Sequence, residues 1–321
     1  MARFIIRRLL WVIPVMLGVI FIVFTIDRFS PGDPVAAELG GSYTQEQYEQ
    51  KEHELGLDQP FVVQFTQYVG NIVTKGDLGN SYHTGNPVSS SIKERFPITF
   101  KLAIISIIIA VGFGIPFGVI SATKQYSWTD KIVTWLSLVF AAMPGFVMAL
   151  ILIITFSIQL KLFPASGYKN WNCWILPCIA SGLTFIASIT RMTRSSMLDV
   201  IRQDYITTAR AKGVNEGTVI RKHALRNALI PVITVVGFQF GVLISGSVIV
   251  ETIFNMPGMG SLLMTAINNK DYPVIEGCVL VLAFFICIIN LLTDIAYGVI
   301  DPRIMAQYKT SAKKKVKKEA L

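Results

Sequence analysis

Of the chain's 321 residues, 52% are hydrophobic and only 15% are charged, and 29 Lys and Arg against 20 Asp and Glu give a formal net charge of +9. Soluble domains carry about 25% charged residues, and a mean hydropathy of +0.55 excludes an ordinary soluble globular protein. The basic residues fall between apolar runs rather than on one polar domain, which argues against a nucleic-acid partner and points to a membrane.

A bilayer-spanning helix needs roughly 20 mostly apolar residues. Six stretches meet that length, at 9–28, 99–121, 132–159, 175–196, 229–253 and 275–299, so an all-α integral membrane fold with six transmembrane helices is expected. Arg3, Arg7 and Arg8 precede the first stretch, but the apolar run is long and no small-x-small cleavage site follows before Pro31. It reads as an uncleaved anchor, and residues 1–29 form the N-terminus and first span. Residues 30–97 form a small external domain, acidic in its first half (Glu38, Glu46, Glu49, Glu52, Glu54, Asp58). A helix is expected over 44–55 and a turn over Gly76–Asn80.

Residues 98–303 hold the remaining spans. Pro144-Gly145 in the third predicts a kink or break. Arg191 and Arg194 close the fourth, where long side chains can snorkel to the headgroups. The fifth carries Gly237-x-x-x-Gly241, a spacing that permits close helix approach, with Gln239 inside it. On the sixth, Asn290 and Asp294 lie one turn apart, with Asp294 placed to meet water or Arg303. An intramembrane acid is a functional candidate, so these five residues are read as lining a pore or packing helices. Glu251 and Glu276 fall at the outer boundary, facing water or an external partner. The tail 304–321, with Lys313, Lys314, Lys315, Lys317 and Lys318, is expected to attract anionic lipid.

Lys and Arg placement sets orientation. With the N-terminus inside, 20 of the 29 basic residues fall on that side. Both termini are then cytoplasmic, in a multi-pass protein of the cytoplasmic (inner) membrane.

The segment between the fourth and fifth spans, 199–230, is polar, basic and helix-forming. Asp204 is placed to cap a helix continuing through Thr207, Thr208, Ala209, Arg210, Ala211 and Lys212. Gly213 suits a left-handed terminator, and Asn215 can cap a second helix through Val219 and Ile220 toward Pro231. The product is a knob with an apolar ridge and a basic flank. Val214, Val219 and Ile220 are candidates for burial against a partner, and Glu216 and the basic residues for steering it. Four cysteines lack CxxC spacing, which argues against a metal site or a disulfide framework. His53, His83 and His223 lie outside the apolar spans, and no G-x-x-x-x-G-K-[ST] phosphate loop occurs.

Ala209-Arg210-Ala211-Lys212-Gly213 and Leu229-Ile230-Pro231 resemble the cytoplasmic "EAA" loop of ABC importer permeases, although the name-giving positions read Thr207 and Thr208. Further segments resemble the dipeptide/oligopeptide permease branch, which has nickel permeases as close relatives. They are Pro31-Gly-Asp-Pro34, Leu55-Gly-Leu-Asp-Gln-Pro60, Lys75-Gly-Asp-Leu-Gly-Asn-Ser81 and Leu162-Phe-Pro-Ala-Ser-Gly-Tyr168. Toward the C-terminus come Val250-Glu-Thr-Ile-Phe254, Pro257-Gly-Met-Gly260, Asp271-Tyr-Pro273, Asn290-Leu-Leu-Thr-Asp294 and Asp301-Pro-Arg303. The resemblance implies a type I ABC importer permease, the first of two homologous permease subunits. It implies two ATPase subunits docked on Asp204–Gly213 and its neighbours, and an extracytoplasmic substrate-binding protein. ATP and Mg would bind the ATPases, and this chain would bind no cofactor or metal. Peptides are the expected cargo and a nickel chelate the alternative. An ion-coupled transporter would prefer internal repeats and a midplane acid.

Overall fold

The computed structural model describes residues 2–30 and 33–300, and among them no strand is found beyond an isolated bridge between Asn80 and Pro87. The basic tail and Arg303 lie outside the described residues. The first apolar stretch forms α1 (Ala2–Phe29). The segment that follows then folds as α2 (Pro34–Leu39), α3 (Gln45–Glu54) and α4 (Phe61–Lys75). The helix expected over 44–55 is α3, opened by a capping box in which Thr44 and Gln47 satisfy each other's backbone N–H groups. Gly76, at φ 65°, ends α4 in the left-handed conformation, and the expected turn follows it.

This segment is packed onto the rest of the chain. Phe21 and Phe24 of α1 meet Phe65 of α4 at centroid distances of 5.5 and 5.6 Å. Ser81 Oγ and Tyr82 N–H donate to the buried Asp271 carboxylate at 2.5 and 3.0 Å, tying the loop after α4 to the far end of the chain. At its exposed edge His53 Nδ1 lies 2.8 Å from Asp58 Oδ2, and this hydrogen bond raises the His53 pKa above its ordinary value. A raised folded-state pKa means that the contact contributes below the unfolded histidine pKa and is lost as pH rises through the folded one. Asp58→Asn is expected to return the His53 titration, followed by NMR, to the ordinary range. An unchanged titration would remove the pair from the account.

The second span begins earlier than hydropathy indicates. Helix α5 runs Val88–Thr123, 36 residues, or about 54 Å at 1.5 Å per residue against a hydrocarbon core of about 30 Å. Its first three turns carry Ser89, Ser90, Ser91, Lys93, Glu94 and Arg95, so they are helical without being apolar. The helix therefore begins about ten residues before the apolar run expected from residue 99. The third span is broken as expected. Helices α6 (Trp128–Ala142) and α7 (Gly145–Leu152) meet at 105°, and a π-helical turn over Ile153–Gln159 completes the pair.

Helix α8 (Ile175–Ile201) follows a 3-10 turn at Trp171–Trp174 and forms the centre of the bundle, flanked by α5, α6, α7 and later helices. Beyond α9 (Asp204–Ala211) and α10 (Glu216–Thr218), a π turn at Val219–Ala224 leads into α11 (Leu225–Gly246). The chain continues through α12 (Val248–Ile253), α13 (Met259–Asn269) and α14 (Tyr272–Ile300). Among the described residues five helices are long and apolar enough to cross a membrane, and the bent α6–α7 pair makes six when it is taken as one broken span. The core lies along α5, α8, α11 and α14, while α1 leaves Leu10, Trp11 and Ile22 exposed.

Candidate functional site

The knob between α8 and α11 has the expected helix, turn and helix. Asp204 is not its cap: it is the first residue of α9, and Gln203 holds the capping position without a side-chain hydrogen bond. The carboxylate still sits in the first turn, where the helix dipole favours it. Gly213 has φ 77° with nothing within 4 Å of where a Cβ would be, so it reverses the chain in open space. Asn215 Oδ1 accepts from Gly217 N–H at 2.9 Å and caps the next turn, as its position indicates.

The apolar ridge faces inward. Ile206 and Val219 are fully buried with Ala224 and Ala228 against Ala122 at the end of α5 and Met197 near the end of α8. Val214, Ile220 and Ala209 are half-buried on the same cluster. Val219 is thus a foundation of the knob, not a surface for a partner. The outward face consists of Thr207, Thr208, Arg210, Ala211, Lys212 and Gly213, with Thr218, Arg221 and Lys222 beside them. Glu216 is not a free steering charge. Its carboxylate accepts from Arg210 Nε at 3.0 Å and Nη2 at 2.7 Å across the Gly213 turn. That pairing lowers the Glu216 pKa and raises that of Arg210, and it fixes the turn's shape more than its charge.

The other sequence candidates divide. A Cβ on Gly237 would fall 2.0 Å from Thr293 Oγ1, and one on Gly241 would fall 3.7 Å from Ile286 Cγ2. Gly237 is therefore required where α11 packs on α14, whereas at Gly241 a Cβ would make only ordinary contact. Gln239 is buried with its Oε1 unpartnered, and Asn290 is exposed. Asp294 pairs with Arg8 of α1 at 3.0 Å, and Arg303 lies outside the described residues. Glu251 does not face water or a partner: it is fully buried, accepting from Thr99 Oγ1 and Ser247 Oγ at 2.6 Å each and from Ser261 N–H at 3.0 Å. Glu276 lines a cavity of about 540 Å³ beside α3 and α4 with Asp27 and Tyr68.

Two features escaped the sequence reading. Gly114 and Gly118 press α5 onto α8, with a Cβ on Gly118 only 2.5 Å from Thr193 Cβ and 2.7 Å from the Thr190 carbonyl. Their four-residue spacing matches that of Gly237 and Gly241 and was the available signal. Arg194 does not reach for headgroups. It donates to Asp130 through Nε at 2.8 Å and Nη2 at 2.9 Å, while Ser121 Oγ donates to the same carboxylate at 2.5 Å. The ends of α5, α6 and α8 are joined there, at the base of the knob.

This architecture has relatives. Residues 114–306 match the family described as binding-protein-dependent transport system inner membrane component, and residues 1–103 match the N-terminal part of such membrane components. The chain is 42% identical over 315 residues to the oligopeptide transport system permease protein AppB of Bacillus subtilis (strain 168), covering 95% of this chain and 99% of the relative. It is 41% identical over 304 residues to the glutathione transport system permease protein GsiC of Pectobacterium atrosepticum, covering 95% and 99%. Among solved structures, an inward facing form of the MetNI methionine ABC transporter superposes with a TM-score of 0.56 at 14% identity, over 66% of this chain and 97% of that one. An amino acid ABC transporter with histidines gives 0.51 at 16%, over 67% and 94%.

Proposed function

The chain belongs to the family of binding-protein-dependent transport system inner membrane components, and we propose that it forms half of a peptide-conducting pore driven by ATPases on other chains. It is a multi-pass membrane protein with the type I ABC importer permease fold. A second, homologous permease completes the pore, two ATPases dock on the knob from the cytoplasm, and an extracytoplasmic binding protein delivers cargo. Both termini lie on the cytoplasmic side of the inner membrane. Relatives named for oligopeptides and for glutathione support peptides as the cargo class.

The observation that carries the coupling role is the division of the knob into two faces. Its apolar side is built into the ends of α5, α8 and α11, so the knob cannot move without those helices. Its polar side, Thr207, Thr208 and Arg210 to Gly213, is left exposed for a groove on another protein. ATP binding can shift the transporter between states only through a differential fit at such a contact. A rigid foundation converts displacement of the knob into rocking of the spans, whereas a flexible loop would dissipate it. ATP and Mg belong to the ATPases, and this chain contributes transmission and the path.

Uptake of a labelled tripeptide into proteoliposomes by the assembled complex, with binding protein and ATP, tests the reading. Transport by the isolated chain would sink it, as would ATPase activity stimulated by a nickel chelate and not by peptide. At Gly213 a side chain meets empty space but must adopt φ 77°, a strain of about 1 kcal/mol for a residue with a Cβ. Gly213→Val is therefore expected to leave membrane insertion intact while abolishing co-purification of the ATPases. Retained co-purification and uptake would count against docking at this turn.

A further inference from the structure

Where α6 and α8 approach the knob, each turns a polar stripe toward the other. Asp130, Thr134 and Ser137 recur at helical spacing on α6, and Thr190 and Arg194 do so on α8, with Arg191, Ser195, Asp199 and Arg202 beside them. Between them lies an open crevice of about 340 Å³. Thr190 and Arg191 lie ten or more residues before the end of α8 at Ile201, so the crevice reaches roughly 15 Å into the bundle. Polar side chains this deep are expensive unless they face water or a ligand.

The charges in the crevice are unequal in their commitments. Asp130 engages Arg194 with both oxygens, so Arg194 serves as an anchored wall. Arg191 is exposed toward the crevice, and no acid pairs with it among the described residues. Beside it Thr190 is only 2% exposed, and its Oγ1 has no hydrogen-bond partner. A buried hydroxyl without a partner is costly, and a guanidinium next to it supplies the matching donors for an oxyanion.

We propose that this crevice is a carboxylate subsite on the substrate's route, with Arg191 and the Thr190 hydroxyl receiving the terminal carboxylate of a short peptide. The assignment rests on the importer reading and deepens it. Three arginines and Asp199 line the crevice, and with Asp130 committed to Arg194 an excess of one positive charge remains. That balance suits a single carboxylate that carries its own ammonium group, and Asp199 nearer the mouth is available to the ammonium. A phosphate dianion would lie against Asp130 and Asp199 with too little compensation.

The test uses the complete nucleotide-free complex in neutral detergent, with Ser195→Cys carrying an environment-sensitive fluorophore. Ser195 is exposed in the crevice, whereas three native cysteines are buried and Cys287 is half-buried. Trialanine is titrated against its C-terminal amide and against inorganic phosphate. Saturable binding of trialanine is expected, with the amide about tenfold weaker and phosphate a poor competitor. Arg191→Gln should erase the difference between acid and amide, Arg191→Lys should restore part of it, and Thr190→Val should reduce it. Each variant is first checked for assembly by size exclusion. Equal affinities for acid and amide, or an unaltered preference in Arg191→Gln, would overturn the subsite. Phosphate binding as tight as trialanine would overturn it in favour of a phosphate or lipid-headgroup site. Peptide uptake by the unsubstituted complex is measured alongside, so failure of the importer reading registers separately from failure of the subsite.

Discussion

Gly118→Leu in α5 should remove folded protein from the membrane, and no single compensating change should bring it back. A Cβ at this position would lie 2.5 Å from Thr193 Cβ, 2.9 Å from Thr193 Cγ2 and 2.7 Å from the carbonyl oxygen of Thr190. Thr193 could be shortened, but the carbonyl belongs to the backbone of α8 and can move only with the helix. Gly114, one turn earlier, sets the same close approach against Ile189 Cβ at 2.8 Å and the Ile186 carbonyl at 3.2 Å. Spreading the seam at either glycine therefore unpacks both, along with Leu102, Ala103 and Ala110 of α5, which are fully buried. Overpacking a tight core costs about 1–3 kcal/mol, and more where backbone must shift; this position falls at the upper end.

Gly237 supplies the control. There the obstruction is wholly the Thr293 side chain, at 2.0 Å from Oγ1, 2.4 Å from Cγ2 and 2.7 Å from Cβ. Gly237→Ala should destabilise the α11–α14 contact, and Thr293→Gly in the same chain should restore much of the loss. Gly118→Ala with Thr193→Gly should not recover, because the Thr190 carbonyl remains. Thermal unfolding in detergent can be followed with a thiol-reactive dye, since Cys173, Cys178 and Cys278 are buried in the folded chain. Equal rescue at the two sites would contradict the distinction between side-chain and backbone obstruction.

The contrast also marks what the sequence could disclose. Spans were legible because a bilayer demands long apolar runs, and the α6–α7 break was legible because Pro144 cannot continue a helical ladder. Gly213 announced its turn for the same local reason. The first three turns of α5 were not legible as part of a span helix, because helix propensity persists where hydropathy does not. Long-range partnerships were equally hidden. Nothing near Asp130 or Arg194 signals a pair separated by 64 positions, and an arginine at a span's end fits snorkelling just as well. The knob's ridge was visible as a pattern, but periodicity cannot say whether an apolar stripe faces a partner or its own bundle. Here the ends of α5 and α8 supplied the covering surface, leaving the polar stripe outside.

Glu251→Ala is the second substitution expected to be severe, for a reason opposite to crowding. The carboxylate is fully buried, and no cation is paired with it among the described residues. It is held by donors alone: Thr99 Oγ1 from α5, Ser247 Oγ one turn earlier and Ser261 N–H in the first turn of α13. Thr99 Oγ1 in turn accepts from Met259 N–H at 2.8 Å, so one side chain organises the start of α13 against α5. Gly258 is required there because a Cβ would fall 2.5 Å from the carboxylate. Truncation to alanine strands three donors in a buried site, at about 1–3 kcal/mol each, so a loss of at least about 3 kcal/mol is expected. Glu251→Gln should cost less, because its carbonyl oxygen can serve Thr99 and Ser247. Its amide N–H₂ would then oppose the Ser261 N–H, donor against donor, so recovery should be partial. The predicted order of midpoints in the dye-monitored unfolding is Glu, then Gln, then Ala. A glutamine variant as stable as the parent would mean that the Ser261 bond contributes little and that the two hydroxyls alone hold α13 in place.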